Sequence, residues 1–336
     1  MQISIDEVKK LSLKILQKLG FSDEEAELIT KNVLEGELSG RKSHGLNLLL
    51  SIKRFLTKPV LKHGVVIDKT PLEIIKETPN SLYLDGKFKA GFYVIYKSLE
   101  KAIPKAKRHG MVSVGIKNAG YATGFIGAYA REAAQNNLIF LGFHSTFGDM
   151  FPHGSNKPIF GTNPLTIGIP SLGDPVILDM ASSKITIGGV VIARNEGQKL
   201  KEGVGQDASG NPTTDPLKVL SDGGVLPIAG HKGSGLAFVI ELLGGALTGS
   251  AAGFSVPGGW GSFYILINPE LFRPIDAFKK DVKTAIDELK HSPKAKGFQE
   301  ILYPGEQSAK TRKKNLKKGS IEISDTLLQS LKEMLV

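Results

Sequence analysis

The stretch Met111-Val112-Ser113-Val114-Gly115-Ile116 reads as a β-strand, because apolar and β-branched residues dominate it. Upstream, Ser81-Leu82-Tyr83-Leu84 has the same character, and a helical pattern from Val94 to Arg108 separates the two stretches. A helical pattern between two strands is typical of an α/β unit. The middle of the chain is therefore predicted to be an α/β structure.

The alternation continues downstream. A helix is predicted near residues 126–135, and strands are predicted at 138–143, 165–169 and 176–178. The segment from Arg194 to Pro227 is rich in Gly, Asp, Asn and Pro, so a long irregular segment and a lobe boundary are predicted there.

Both chain ends carry helical patterns. Apolar residues recur at helical spacing from Ile5 to Leu19, where Gly20 stops the pattern, and Ser22-Asp23-Glu24-Glu25 reads as an N-cap with its capping-box acid. Beyond the irregular segment, a strand is predicted at 263–267 and helices at 235–247, 275–289 and 326–334.

Composition excludes several classes of protein. The 336 residues suit two lobes, and the absence of cysteine excludes disulfides, thiolate nucleophiles and cysteine-ligated zinc. The net charge is +10, but the densest basic run, Lys310 to Lys318, has no interleaved aromatic residues and reads as a solvated helical face. No apolar stretch has bilayer length, and acids follow Met1 where a signal peptide has bases. We expect a cytoplasmic protein that binds neither nucleic acid nor membrane.

Glycine-rich clusters mark places where backbone can approach a ligand closely. Neither the G-x-G-x-x-G nor the Walker A fingerprint is present, so an ordinary Rossmann domain is not supported. The clusters that are present are Ser43-His44-Gly45, Pro152-His153-Gly154-Ser155, Gly161-Thr162-Asn163-Pro164 and Gly230-His231-Lys232-Gly233-Ser234-Gly235.

Three residues in or near these clusters are candidates for chemistry. His44 has the titration range of a general acid, and its alternative is a capping histidine. Asp179 ends an apolar strand, where α/β proteins place functional groups, and its alternative is a helix N-cap. Lys232 precedes an apolar helix, where a cation and free backbone N–H groups suit phosphate.

A metal site is the other chemistry to weigh. His144 and His153, with Asp149 between them, have ligand side chains, but they lie in Gly-rich loops of mixed polar residues. We therefore predict no metal.

Taken in order, these motifs resemble the type-2 malate/L-lactate dehydrogenase family, which includes ureidoglycolate and sulfolactate dehydrogenases and cyclic imino-acid reductases. The resemblance spans nearly the whole chain. Beyond the clusters above, its residues are Asp179-Met180-Ala181-Ser182, Gly210-Asn211-Pro212-Thr213-Thr214-Asp215-Pro216, Asn268-Pro269 and Tyr303-Pro304-Gly305-Glu306.

The resemblance implies an α/β fold with two lobes. Residues 76–222 would form a cofactor-binding lobe with a mixed β-sheet and helices that is not a Rossmann fold. Residues 1–75 and 223–336 would form a mainly helical lobe from both chain ends. It also implies a homodimer whose active site lies near the subunit interface.

The resemblance also assigns roles. His44 would donate a proton, with Ser43 and Asp179 as its relay partners. The cofactor would be NAD(P), and the preference between NADH and NADPH stays open. Its site would be lined by Ser145, Asp179, Met180, Ala181, Lys232, Gly305 and Glu306.

The sequence departs from the family pattern at the substrate. Leu48 and Ile52 stand where the family commonly has an Arg that grips the substrate carboxylate and a Tyr. Where some members have a second acid/base histidine, this chain has Tyr121 or Ala122, so Tyr121 is a rival proton donor. Arg41 or Lys42 is the base that would replace the lost Arg.

The expected function is that of an NAD(P)-dependent dehydrogenase or reductase acting on CH–OH or C=N groups. Its small carbonyl, hydroxy or imine substrate would not be a standard 2-oxo acid, because Leu48 occupies the carboxylate-binding position. The alternative is a member that binds the dinucleotide without turnover.

Overall fold

The computed structural model describes residues 1–57, 64–67, 70–253 and 259–336. Eleven α-helices form in this part of the chain. They are α1 Ile5–Lys18, α2 Asp23–Leu38, α3 Asn47–Thr57, α4 Gly91–His109, α5 Gly127–Gln135, α6 Ile187–Asn195, α7 Pro216–Leu220, α8 His231–Ile240, α9 Ile275–His291, α10 Glu306–Lys318 and α11 Asp325–Glu333.

Thirteen strands, some of only two residues, form in the same described part. They are β1 Gln2–Ser4, β2 Glu73–Thr78, β3 Ser81–Asp85, β4 Met111–Ala119, β5 Ile139–Ser145, β6 Phe147–Met150, β7 Leu165–Ile169, β8 Val176–Met180, β9 Gly205–Gln206, β10 Pro212–Thr213, β11 Gly224–Val225, β12 Trp260–Ile267 and β13 Ser320–Glu322.

The N-terminal helices begin where their sequence signals predict. The Ser22 hydroxyl accepts from the Glu25 backbone N–H at 3.3 Å, while the Glu25 carboxylate accepts from the Ser22 backbone N–H at 3.1 Å. This reciprocal capping box satisfies two N–H groups that a helix start leaves unpaired. Ser4 and Glu7 repeat the arrangement at α1, which ends before Gly20.

A seven-stranded mixed sheet forms the centre of the molecule, in the order β2-β3-β4-β12-β5-β7-β8. Strands β3 and β4 run parallel, whereas the other neighbouring pairs run antiparallel. The predicted strand at 263–267 is confirmed as part of β12, and it lies between β4 and β5. The lobe boundaries stay a prediction. The sheet is completed by β12, which comes from outside residues 76–222.

Helices α4 and α5 cover the sheet with large apolar side chains. Tyr96, Tyr129 and Tyr264 are almost wholly buried there, and the Tyr264 hydroxyl is 2.7 Å from that of Ser98. Burying one such ring contributes about 1.5–3 kcal/mol. This rigid layer supports the strand ends that carry the site.

The prediction of a long irregular segment at 194–227 is wrong in part. Strands β9, β10 and β11 and helix α7 lie there, and the strands join β6 in a second sheet of order β10-β9-β11-β6. Its strands are too short to show a hydrophobic period, and the partner of β11 on β6 is distant in sequence.

The two chain ends meet in a third sheet. Strand β1 pairs antiparallel with β13, and the Met1 amino group donates to the Ile323 carbonyl at 2.8 Å. Three-residue strands carry no readable sequence pattern, so neither was predicted. None of the helices in the described residues is long and apolar enough to cross a membrane.

Candidate active site

A short turn carries the two residues of the first glycine-containing motif. After α2 ends, Lys42–His44 form one turn of 3-10 helix that packs closely against α2. The buried Glu37 carboxylate accepts the Leu46 N–H at 2.8 Å, which fixes the chain just beyond His44. A Cβ built at Gly36 would lie 2.4 Å from the His44 carbonyl oxygen, so this contact requires glycine.

This turn faces a pocket of about 220 Å³ at the edge of the seven-stranded sheet. Five separate parts of the chain supply its polar side chains. These are Arg41, Ser43 and His44 at the turn, Tyr121 and Thr123 after β4, Thr146 after β5, Thr162 before β7, and Asp179 and Thr186 on β8 and before α6. A buried amide anchors the loop after β4, since Asn32 accepts the Phe125 N–H at 2.7 Å and donates to the Phe125 carbonyl at 3.1 Å.

His44 has the geometry of a proton-transfer residue. Its Nδ1 atom is 2.8 Å from the Ser43 hydroxyl, and Nε2 has no hydrogen-bond partner among the described residues. Burial and the positive charge of Arg41 lower the pKa of His44 to about 4. The imidazole is therefore neutral at neutral pH and can accept a proton.

Asp179 lies in the same pocket with its own hydrogen bond. Its Oδ2 atom accepts the N–H of Gly127, the first residue of α5, at 2.8 Å. Burial raises the pKa of Asp179 to about 6, although the Gly127 N–H and the Arg41 charge act in the opposite direction. Within the described residues, Asp179 makes no hydrogen bond to Ser43 or His44. The three residues of the implied relay therefore line one pocket, but Asp179 is not hydrogen-bonded to the other two.

The two residues that could replace the family's Arg line different cavities. Arg41 lines the pocket, and its Nε donates to the Ser308 hydroxyl on α10 at 3.1 Å. Lys42 lines a neighbouring cavity of about 410 Å³ and is not among the residues of the His44 pocket. Arg41 therefore lines the pocket from a position before Ser43 in the sequence, whereas the family pattern predicts an arginine at the position of Leu48, after His44.

Leu48 and Tyr121 form the apolar wall of the pocket. Leu48 is 7% exposed. The Tyr121 ring lies between Phe55, at 4.1 Å between centroids, and Trp260, at 5.4 Å. Burial raises the pKa of Tyr121, which makes its hydroxyl a poorer acid than an ordinary tyrosine.

The predicted cofactor residues divide into two groups. Ala181 lines the pocket, Met180 precedes it on β8, and Lys232 is exposed in the first turn of α8. Backbone contacts hold the two regions together, because the Ile228 N–H donates to the Ser182 carbonyl at 2.9 Å.

The other predicted cofactor residues point elsewhere. Ser145 is buried, and its hydroxyl shares weak contacts of 3.3 and 3.4 Å with the Gly261 backbone. Gly305 packs on Ile177, and the buried Glu306 carboxylate pairs with Lys290 and Lys310. These residues support β12 and β8, and their roles as cofactor ligands stay predictions.

Sequence reasoning missed Thr146. Its Oγ1 atom is buried without a hydrogen-bond partner in the described residues, and the residue lines the pocket. The only signal was its place directly after β5, since functional groups cluster at strand ends in α/β proteins. Among the described residues, no three His, Asp or Glu side chains converge as a metal would require.

Comparison with known proteins agrees with this geometry. The family model described as malate/L-lactate dehydrogenase matches residues 3–332. The chain is 34% identical to the malate/(S)-sulfolactate dehydrogenase of Methanothermus fervidus, over 99% of this chain and 97% of that one. It is 36% identical to the L-sulfolactate dehydrogenase of Methanocaldococcus jannaschii, over 97% and 94%.

A solved structure extends the likeness to three dimensions. The malate dehydrogenase of Entamoeba histolytica superimposes with a TM-score of 0.90 at 26% identity, over 99% of this chain and 97% of that one. The sequence match spans both chain ends and the sheet between them. The chain therefore belongs to the malate/L-lactate dehydrogenase family, whose members are NAD(P)-dependent dehydrogenases and reductases that act on CH–OH or C=N groups.

Proposed function

We propose that this protein transfers a hydride between the nicotinamide of NAD(P) and a small carbonyl, hydroxy or imine substrate bound beside His44. The observation that carries the proposal is that His44 lines a pocket and that its Nδ1 atom is 2.8 Å from the Ser43 hydroxyl, while Nε2 has no hydrogen-bond partner among the described residues. A positioned imidazole of this kind is the usual general acid or base at a CH–OH or C=O group.

The charges around His44 favour proton exchange with an alcohol. Because the pKa of His44 is lowered to about 4 and that of Asp179 is raised to about 6, a neutral imidazole faces an ionised carboxylate at neutral pH. When a hydroxy substrate is oxidised, Nε2 accepts its proton, and Asp179 stabilises the resulting imidazolium across the pocket. In the reverse direction the same nitrogen returns the proton to the carbonyl oxygen.

The residues present fit a dinucleotide. When bound, NAD(P) supplies or accepts the hydride. Thr146 offers a buried hydroxyl that lacks a partner among the described residues, and Lys232 offers an exposed cation at a helix start that has no capping side chain. We propose that these residues and Ala181 hold the cofactor, in a lobe that is not a Rossmann fold.

We predict that NADH or NADPH at millimolar concentration raises the melting temperature of the protein, and that Lys232→Ala reduces this stabilisation. A ligand that binds only the native state must stabilise it, and losing one charge-assisted contact to phosphate costs about 1.5–3 kcal/mol. The measurement is a thermal-shift titration, with Lys184→Ala as a control at another exposed lysine.

The absence of protection by either nucleotide would overturn the proposal. Protection without turnover on any 2-oxo acid, ketone or imine would instead identify a protein that binds the dinucleotide but has lost catalysis.

The substrate side of the proposal rests on Leu48. A buried isobutyl group at this position cannot form the two charge-assisted hydrogen bonds of a guanidinium, so a carboxylate placed there would be desolvated without a partner. We propose that the substrate is not a standard 2-oxo acid. Arg41 is the one pocket residue in the described chain whose charge opposes this conclusion.

We expect oxaloacetate and pyruvate to be reduced at least roughly tenfold less efficiently than uncharged ketones or cyclic imines, since a missing charge-assisted pair costs about 1.5–3 kcal/mol. The comparison is of kcat/KM for the two substrate classes. Efficient reduction of oxaloacetate that disappears in Arg41→Gln would contradict the proposal, because it would show that Arg41 has taken over the carboxylate.

We also propose a homodimer that works in the cytoplasm. Phe238, Val239 and Leu242 on α8 and the segment after it are about half exposed, as is Leu247. A contiguous apolar patch on a folded chain marks a contact surface. Sedimentation at the mass of one 36.1 kDa chain would contradict the dimer.

A further inference from the structure

A series of buried hydrogen bonds leads away from the His44 pocket at Thr146. The Thr146 backbone N–H donates to the Oδ1 atom of Asn163 at 2.9 Å. On its other side, the Asn163 amide nitrogen donates to the Glu241 carboxylate at 2.6 Å and to the Ala237 carbonyl at 3.0 Å. Asn163 is wholly buried, and Glu241 is 5% exposed. The series therefore links the pocket to α8 and to the residue that follows this helix.

The partners of Asn163 determine which way its amide points. Ala237 offers a carbonyl oxygen and Glu241 a carboxylate oxygen, and both of these atoms accept hydrogen bonds. The NH2 group must face them, so the amide oxygen faces the Thr146 N–H, which can only donate. Glu241 is itself held in place, because its other oxygen accepts the Gly253 N–H at 2.8 Å. One buried carboxylate thus sets the orientation of a polar contact beside the pocket.

The loop that carries Asn163 also holds the Thr146 side chain. A Cβ built at Gly161 would lie 2.0 Å from the Thr146 Oγ1 atom and 2.3 Å from its carbonyl oxygen, so the loop and Thr146 are in direct contact. Thr146 lines the His44 pocket, and its Oγ1 atom is buried without a hydrogen-bond partner in the described residues. A buried hydroxyl without a partner costs free energy that a ligand contact can offset. The loop therefore holds in place a hydroxyl that is available to a ligand.

Unusual backbone conformations occur at both residues that hold Thr146. Asn163 has a φ of 25°, in the positive region that few residues other than glycine adopt. Glu241 begins a π-helical turn, Glu241–Ala246, directly after α8. Strained residues and π-helical turns are uncommon, and both concentrate at functional sites. Their presence at Asn163 and Glu241 favours a role beyond packing.

We infer that Asn163 and Glu241 are positioning residues for the cofactor, which hold the Thr146 backbone so that its hydroxyl hydrogen-bonds to NAD(P) in the His44 pocket. This inference rests on the proposed function. Neither Asn163 nor Glu241 is among the described residues that line the pocket, so both act through Thr146. Changing them should weaken cofactor binding although no group that touches the cofactor is removed.

Glu241→Gln tests the orientation of the Asn163 amide with almost no change of shape. The new side chain must keep its oxygen towards the Gly253 N–H, so its NH2 group meets that of Asn163, donor against donor. We expect the Kd for NADH or NADPH to rise roughly tenfold or more, the effect of about one lost charge-assisted hydrogen bond. The measurement is a fluorescence titration of the protein-bound nucleotide.

A second substitution should rescue this variant. Asn163→Asp, added to Glu241→Gln, again sets an acceptor opposite a donor, while its other carboxylate oxygen accepts the Thr146 N–H. We expect the double variant to bind the nucleotide within about threefold of the unmodified protein, because the two changes are coupled. A double variant that binds as weakly as Glu241→Gln, or more weakly, would overturn the inference.

Thr146→Val tests whether Glu241 acts through the hydroxyl, because valine keeps the shape of threonine and lacks that group. On this background Glu241→Gln should change the Kd less than about twofold, since two changes that act through one group do not add. A further tenfold loss would show that Glu241 acts by another route, which would contradict the inference.

Glu25→Gln is the matched control. Glu25 is a buried carboxylate that caps α2, pairs with Lys89 and does not line the His44 pocket. The substitution should lower the melting temperature and leave the Kd for the nucleotide unchanged. A rise in Kd as large as that of Glu241→Gln would assign both carboxylates a purely structural role.

Hydrogen exchange separates this inference from the proposed function. Without nucleotide, the Thr146 amide proton should exchange faster in Glu241→Gln than in the unmodified protein, and slowly again in the double variant. Failure of the unmodified protein to bind either nucleotide would overturn the proposed function. Nucleotide binding that Glu241→Gln leaves unchanged would overturn this inference alone.

Discussion

His44→Ala is expected to lower turnover at least a hundredfold while the protein stays folded. General acid–base catalysis by a positioned side chain contributes roughly 10²–10⁴-fold, and alanine removes the only imidazole lining the pocket in the described chain. The measurement is kcat for reduction in saturating NADH or NADPH. Because the pKa of His44 is lowered to about 4, kcat/KM for a ketone should rise as the pH falls from 8 to 5, and the variant should lose that slope.

Tyr121→Phe is the matched control, because Tyr121 lines the same pocket and is the rival proton donor. Its ring is held by Phe55 and Trp260, so phenylalanine should keep the packing. We expect kcat to fall less than about tenfold, since burial raises the pKa of this hydroxyl. If Tyr121→Phe abolishes turnover and His44→Ala leaves it intact, the roles are reversed.

Gly36→Ala is expected to destabilise the protein by about 2–3 kcal/mol, although alanine normally favours a helix by about 1 kcal/mol over glycine. The new Cβ would lie 2.4 Å from the carbonyl oxygen of His44 and 2.9 Å from its carbonyl carbon. Backbone atoms cannot swing aside as a flexible side chain does, so α2 and the turn must separate. The measurement is the free energy of unfolding in urea, together with kcat.

Gly235→Ala is the control for this substitution. Gly235 also lies in a helix, α8, but its Cβ would meet nothing within 4 Å in the described chain. The same change should therefore stabilise the protein by up to about 1 kcal/mol. Equal stability effects of the two substitutions would show that the contact with His44 is not tight.

Local signals predicted α1, α2, α4 and α5, but not α6 or α7. The capping boxes at Ser4 and Ser22 act within four residues, so their physics is complete in the sequence. Pairing between distant strands has no such signal. The place of β12 between β4 and β5, and the pairing of β1 with β13, depend on contacts between segments that are far apart in sequence.

The same distinction between local and long-range contacts applies to the residues of the site. Ser43 and His44 are neighbours in a recognisable motif, and the structure places both on the pocket. The places of Arg41 and Thr146 could not be predicted in this way, because they depend on tertiary contacts. Arg41 bonds to Ser308 on α10, and Thr146 lies in the space beside β5. Glu306 shows the converse, because a motif residue is taken up by Lys290 and Lys310, which sequence could not anticipate.

The position of β12 has a consequence for how the chain is made. Strands β4 and β5 each hydrogen-bond to β12 along one edge, yet a ribosome releases them long before residues 260–267. During that interval each presents an unpaired edge, and exposed edges invite pairing with other chains. During synthesis in a crowded cell, the chain therefore benefits from factors that shield nascent β-strands until β12 has been made and the sheet is complete.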